Sequence, residues 1–212
     1  MTSLTQDIQD KLKQLTAYEK IIAINIVVFF IGWCITLVSN ISRNSSLNWL
    51  ELPKEFSSFL LKPWSLVTYG FTHVEFWHLL MNMFVLYFVG RSFSNLFNIK
   101  ISLNIYFLGI ISGGLLYLLS YALFPSFFKS GGSLVGASAG VRATLIFLCA
   151  YMPNHEVRLG SLRFKLMYIG LIMVALDLFG LFGVNSGGNV AHLGGDLLGY
   201  FYATRLRQGI DI

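Results

Sequence analysis

The chain has 212 residues, of which 55% are hydrophobic and only 12% charged, with a net charge of +5. Average globular chains carry about 25% charged residues, so the composition excludes an ordinary soluble domain, and its hydrophobicity excludes disorder. At about 20 residues per membrane-spanning helix there is room for roughly five to seven spans. Lys and Arg are scattered through short loops rather than gathered on one basic face, which argues against a nucleic-acid partner. The partner implied is the lipid bilayer.

In chain order, Met1 to Lys20 is polar and lacks the basic start and cleavage site of a signal peptide. Ile21 to Val38 is uncharged and predicts the first span. Ser39 to Trp77 is a long mixed loop whose Trp49, Trp64 and apolar residues suit the membrane interface. Phe76 to Gly90, bounded by Glu75 and Arg91, predicts the second span, and the third falls within Ile101 to Phe128, ending near Pro125. A glycine-rich run from Gly131 to Gly140 opens the fourth, which continues to Met152. Leu166 to Phe182 makes a fifth span carrying Asp177, and Asn189 to Thr204 a sixth carrying His192 and Asp196. The expected fold is an all-α polytopic membrane protein: a six-helix bundle over 21–205, between a polar segment 1–20 and a short tail 206–212.

Counting Lys and Arg in alternate loops orients the bundle. One side holds Lys11, Lys13, Lys20, Arg91, Lys100, Arg158, Arg163, Lys165, Arg205 and Arg207; the other holds Arg43, Lys54, Lys62 and Lys129. Both termini are therefore expected on the cytoplasmic side, in the plasma membrane if the chain is bacterial. Spans two, four and six then descend from the outer face.

That direction puts His78 and Asn82, Ser138 and His192 at one depth, near the starts of three spans. Polar groups are costly in a bilayer and usually face a bundle interior or a wet cavity. Ser138 can attack a carbonyl if His192 takes its proton. His78 and Asn82, four apart on one helix face, could with the Ser138 amide donate to the resulting oxyanion. Gly195 and Gly199 form a small-residue face that could pack span six against span four.

These residues lie in Gly136-Ala137-Ser138-Ala139-Gly140, His78-Leu79-Leu80-Met81-Asn82 and Ala191-His192-Leu193-Gly194-Gly195 followed by Gly199. The three segments, in this order, resemble the signature motifs of rhomboid intramembrane serine proteases, from about Trp64 to Tyr200. The resemblance implies a Ser138–His192 dyad with no third carboxylate, an oxyanion hole at His78, Asn82 and the Ser138 amide, and no cofactor. It also implies transmembrane substrates that unwind near their outer ends and enter beside span five.

One position departs from the pattern. Family members often carry a Tyr four residues after the nucleophile, where this chain has Arg142. Asp196 stands four residues after His192, so a paired dyad would bring Arg142 near Asp196 one turn below. A buried Arg142–Asp196 ion pair is therefore expected.

Taken singly, Ser138 reads as structural, and His78, Asn82 and His192 as residues that join helices; their common depth, spacing and order favour catalysis. Asp177 is expected to bond a neighbouring helix, His73 to be interfacial, and His155 to be solvated. Cys34 and Cys149 read as buried small hydrophobes, and Trp and Tyr near helix ends as interfacial anchors. No His spacing suggests a metal site. The competing reading is a catalytically silent rhomboid-like protein that binds transmembrane clients, kept open by Arg142. A transporter fits less well, since no paired half-helices recur.

Overall fold

The computed structural model describes residues 4–128 and 131–210; Lys129, counted above on the outer side, lies outside them, as do both extreme ends. Helix α1 (Leu4–Gln14) precedes α2 (Ala17–Ser39). Thr16 separates them through a reciprocal cap: its hydroxyl accepts from the Glu19 N–H, and the Glu19 carboxylate accepts from the Thr16 N–H at 2.7 Å. On α2 only Tyr18, Ile21, Asn25, Phe29 and Gly32 are buried. Their three- and four-residue spacing draws a single stripe, and the rest of this apolar helix faces outward.

The segment 40–75 folds back over the bundle through 3-10 turns at Arg43–Ser45 and Tyr69–Phe71 and two short helices, α3 (Phe56–Leu61) and α4 (Ser65–Thr68). The Trp64 indole donates to the Trp49 carbonyl at 2.9 Å, and the Thr68 hydroxyl to Leu50 at 2.7 Å. Leu52 and Leu134 exchange backbone hydrogen bonds, tying the segment to the approach of the next-but-two long helix. Its α3 exposes Phe56, Leu60 and Leu61.

Five further helices follow: α5 (Phe76–Leu96), α6 (Ile99–Leu123), α7 (Ser138–Tyr151), α8 (Leu166–Gly180) and α9 (Ser186–Arg207). Of the six expected spans, α2 and α6 are long and apolar enough to cross a membrane; α7 and α8 are apolar but shorter. The structure differs from the sequence reading in several places. Helix α5 runs on through Arg91 to Leu96 rather than stopping at Gly90. The glycine-rich run before Ser138 is not helical: Gly136 takes φ +113° and donates its N–H to the Tyr69 carbonyl, so α7 begins only at Ser138.

The all-α expectation also misses a hairpin, β1 (Glu156–Leu159) and β2 (Leu162–Lys165), turned at Gly160 with φ +63°. Cys34 is exposed on α2, whereas Cys149 is buried. The aromatic residues divide: Trp33, Trp49, Trp64 and Trp77 are exposed, but Tyr18, Tyr69, Tyr106, Tyr117 and Tyr202 are fully buried core residues rather than anchors.

The centre of the bundle is α7, buried from Ala139 to Cys149. Small residues let α6 and α9 close on it from two sides. On one side, a Cβ placed at Gly109 would overlap Ala143, and one at Gly113 would stand 2.6 Å from the Ala139 methyl. On the other, a Cβ at Gly195 or Gly199 would overlap the carbonyl oxygen of Ala139 or Ala143. Each helix thus presents a pair of small residues four apart, and the three pairs meet backbone to backbone. Because lipid is as apolar as the side chains, this contact is held by close dispersion packing rather than by water exclusion. Gly199→Val is expected to destabilise the fold by about 1–3 kcal/mol or more through overpacking. Gly132→Ala, where an added methyl meets nothing within 4 Å, should leave thermal unfolding in detergent unchanged.

Candidate active site

Ser138 is the first residue of α7. Its N–H belongs to the first turn, where helix geometry supplies no partner. The preceding residue is held from outside: the Ala137 N–H donates to His73 Nε2 at 3.3 Å. His192 lies two turns into α9, half-buried, and its Nε2 is 2.8 Å from Ser138 Oγ. The close approach of Gly195 to Ala139 sets that register, since the glycine lies three residues beyond His192 and the alanine one beyond Ser138.

On the other edge of the imidazole, Nδ1 lies 2.8 Å from Asp177 Oδ1. This carboxylate comes from α8 and is buried. The sequence reading expected no carboxylate beside His192; the structure places one there. Asp177 Oδ2 in turn lies 2.6 Å from a terminal nitrogen of Arg142, an ion pair without hydrogen-bond alignment. The same guanidinium binds Asp196 in the forked geometry that suits a carboxylate: Nε donates to Oδ1 at 2.9 Å, and the terminal nitrogen to Oδ2 at 2.5 Å. Arg142 and Asp196 are therefore in contact one turn below Ser138 and His192, and the pair is a triad with Asp177.

A cleft of about 750 Å³ opens onto these groups between α5, α7, α8 and α9. His78, Asn82, Ser138, Arg142, Asp177 and His192 supply part of its polar wall, and Met81, Leu145 and Met173 part of its apolar one. His78 packs over Gly136, where a Cβ would stand 2.5 Å from the ring; glycine is required here for both the space and the positive φ. Asn82 donates one amide hydrogen to the His78 carbonyl at 2.9 Å, which leaves the second hydrogen and the His78 ring as donors for the cleft. Among the described residues, no group of three or more His, Cys, Asp or Glu is placed to hold a metal.

A family model for the Rhomboid domain matches residues 61–209. The chain belongs to the rhomboid family. Rhomboid proteins are membrane proteins, and the family includes intramembrane serine proteases. The chain is 27% identical to RHOMBOID-like protein 12, mitochondrial, of Arabidopsis thaliana over 157 residues, 68% of this chain and 47% of that protein. It is 29% identical over 189 residues to Presenilin-associated rhomboid-like protein, mitochondrial, of Homo sapiens, covering 87% of this chain and 46% of that protein. The chain thus spans about half the length of these relatives.

Within this rhomboid chain, sequence reasoning undervalued two residues. His73, expected at the interface, is completely buried. Burial pushes its pKa down to about 3, with the charges of His78 and Arg43 adding to the shift, so the ring is neutral. Its backbone carbonyl accepts from Arg43, and its ring packs edge-on to His78 at 5.0 Å. Asp177, read as bonding a neighbouring helix, reaches two of them, α7 and α9. His155 is exposed, in the turn before the hairpin.

Removing one partner of a buried ionic cluster leaves the others uncompensated. Arg142→Met is expected to cost about 3–5 kcal/mol, read as a lowered unfolding temperature in detergent. Arg142→Met with Asp196→Leu should recover part of that loss.

Proposed function

We propose that this rhomboid chain is an intramembrane serine endopeptidase acting on transmembrane proteins. The observation that carries the reading is the 2.8 Å contact between Ser138 Oγ and His192 Nε2 at the wall of a cleft. His192 takes the Ser138 proton as Oγ attacks the scissile carbonyl, then returns it to the leaving amine. The tetrahedral oxyanion is received by the Ser138 N–H, His78 and Asn82, and water then hydrolyses the acyl-enzyme. A helical substrate hydrogen-bonds its own carbonyls, so the segment must unwind before it can be cut.

The topology that suits this chemistry has six spans, α2 and α5 to α9. Both termini lie on the side rich in Lys and Arg, and the cleft lies toward the opposite face. The relatives named above are mitochondrial by name, so they lend no support to a bacterial plasma membrane. The alternative, a silent client-binding protein, rested on Arg142 disturbing the base. The Nε and terminal-nitrogen edge of that guanidinium is instead held by Asp196, and the same terminal nitrogen pairs with Asp177, which favours the protease.

The test is co-expression with a type I membrane protein carrying a labile transmembrane segment. Wild type should release the cleaved ectodomain, and Ser138→Ala and His192→Ala should abolish release. Asn82→Ala should lower kcat by ~10²- to 10³-fold, the loss typical of one oxyanion donor. Cleavage that survives Ser138→Ala contradicts the mechanism.

A further inference from the structure

Resting on the protease reading above, we propose that Asp177 is a positioning residue for His192, and that Arg142 holds it in place. The dyad is thereby extended to a Ser138–His192–Asp177 relay of hydrogen bonds, anchored from below by Asp196. Three helices contribute: α7 supplies Ser138 and Arg142, α9 His192 and Asp196, and α8 Asp177.

The geometry defines the tautomer. A base acting on Ser138 through Nε2 must carry its proton on Nδ1, and only an acceptor at Nδ1 enforces that. Asp177 Oδ1 stands there at 2.8 Å, and a carboxylate can only accept.

Charge points the same way. At formal charges the Arg142 guanidinium between two aspartates leaves one negative unit, in a cluster whose side chains are 5–8% exposed. That unit faces the imidazole. When His192 takes the Ser138 proton, the imidazolium formed during reaction completes the balance: four groups carrying two positive and two negative charges. Asp177 divides its carboxylate accordingly, Oδ1 to His192 and Oδ2 to the ion pair with Arg142.

Arg142 also makes the proposal unusually testable. In Asp177→Asn the amide oxygen is drawn to the guanidinium, which can only donate. The amide NH2 is then turned toward His192 Nδ1, which becomes an acceptor. The proton moves to Nε2, and His192 can no longer accept from Ser138. An isosteric change should therefore invert the tautomer.

The experiment uses the full chain in detergent, labelled with 15N-histidine, with the His192 signals assigned by comparison with His192→Gln. Wild type is expected to show Nδ1–H with an unprotonated Nε2. Asp177→Asn is expected to show the reverse, together with a ~10²- to 10⁴-fold fall in kcat at little changed KM. An Nε2–H tautomer in the wild type overturns the proposal, even if the variant fails to fold. So does a variant that retains kcat within threefold, or one that loses it with the tautomer unchanged. The tautomer is read without turnover. A wild type that cleaves nothing therefore defeats the protease reading alone, while the spectrum still decides the role of Asp177.

Discussion

The site depends on how closely three helix backbones approach at Ala139 and Ala143. Glycines of α6 press on one side of these alanines and glycines of α9 on the other. With no Cβ in the way, the helices come to rest in one register, fixed by backbone rather than by adjustable side chains. A four-residue repeat on each helix means that one contact determines the next, about 6 Å further along the axis.

Two polar layers follow from that register. In the upper one, next to the Ala139–Gly195 contact, Ser138 faces His192; in the lower one, next to the Ala143–Gly199 contact, Arg142 faces Asp196. The upper layer opens to the cleft, whereas the lower-layer side chains are buried, with Arg142 at the cleft floor. A serine and a histidine at hydrogen-bond distance could arise by chance in a polar bundle. Their attachment to a rigid small-residue seam accounts for why they are held there. Asp177 joins the two layers from α8, a helix otherwise buried only at Leu166 and Gly170.

Much of this was legible in the sequence. The motifs around His78, Ser138 and His192 gave the order of the site, and equal spacing of four residues from Ser138 to Arg142 and from His192 to Asp196 placed the lower pair. What escaped notice has physical reasons. Asp177 sits alone on an apolar helix, and no spacing within α8 reveals which neighbours it faces. His73 is buried because the segment 40–75 folds back onto the start of α7, a long-range contact with no local periodicity. The hairpin after α7 is exposed on both faces, so burial left no clear pattern in its residues. The glycine run ahead of Ser138 was read as helix because it is apolar and small. It is non-helical instead, bonded to Leu52 and Tyr69, and this lets Ser138 open a helix rather than lie within one.

The central claim is that Ser138 is an activated nucleophile and that His192 activates it. The most direct measurement is the intact mass of the purified chain after exposure to a serine-directed fluorophosphonate, with the adduct located by peptide mapping. The account predicts one adduct, on Ser138, that disappears in His192→Ala. An unmodified wild type, or labelling of Ser138 that persists without His192, would contradict it.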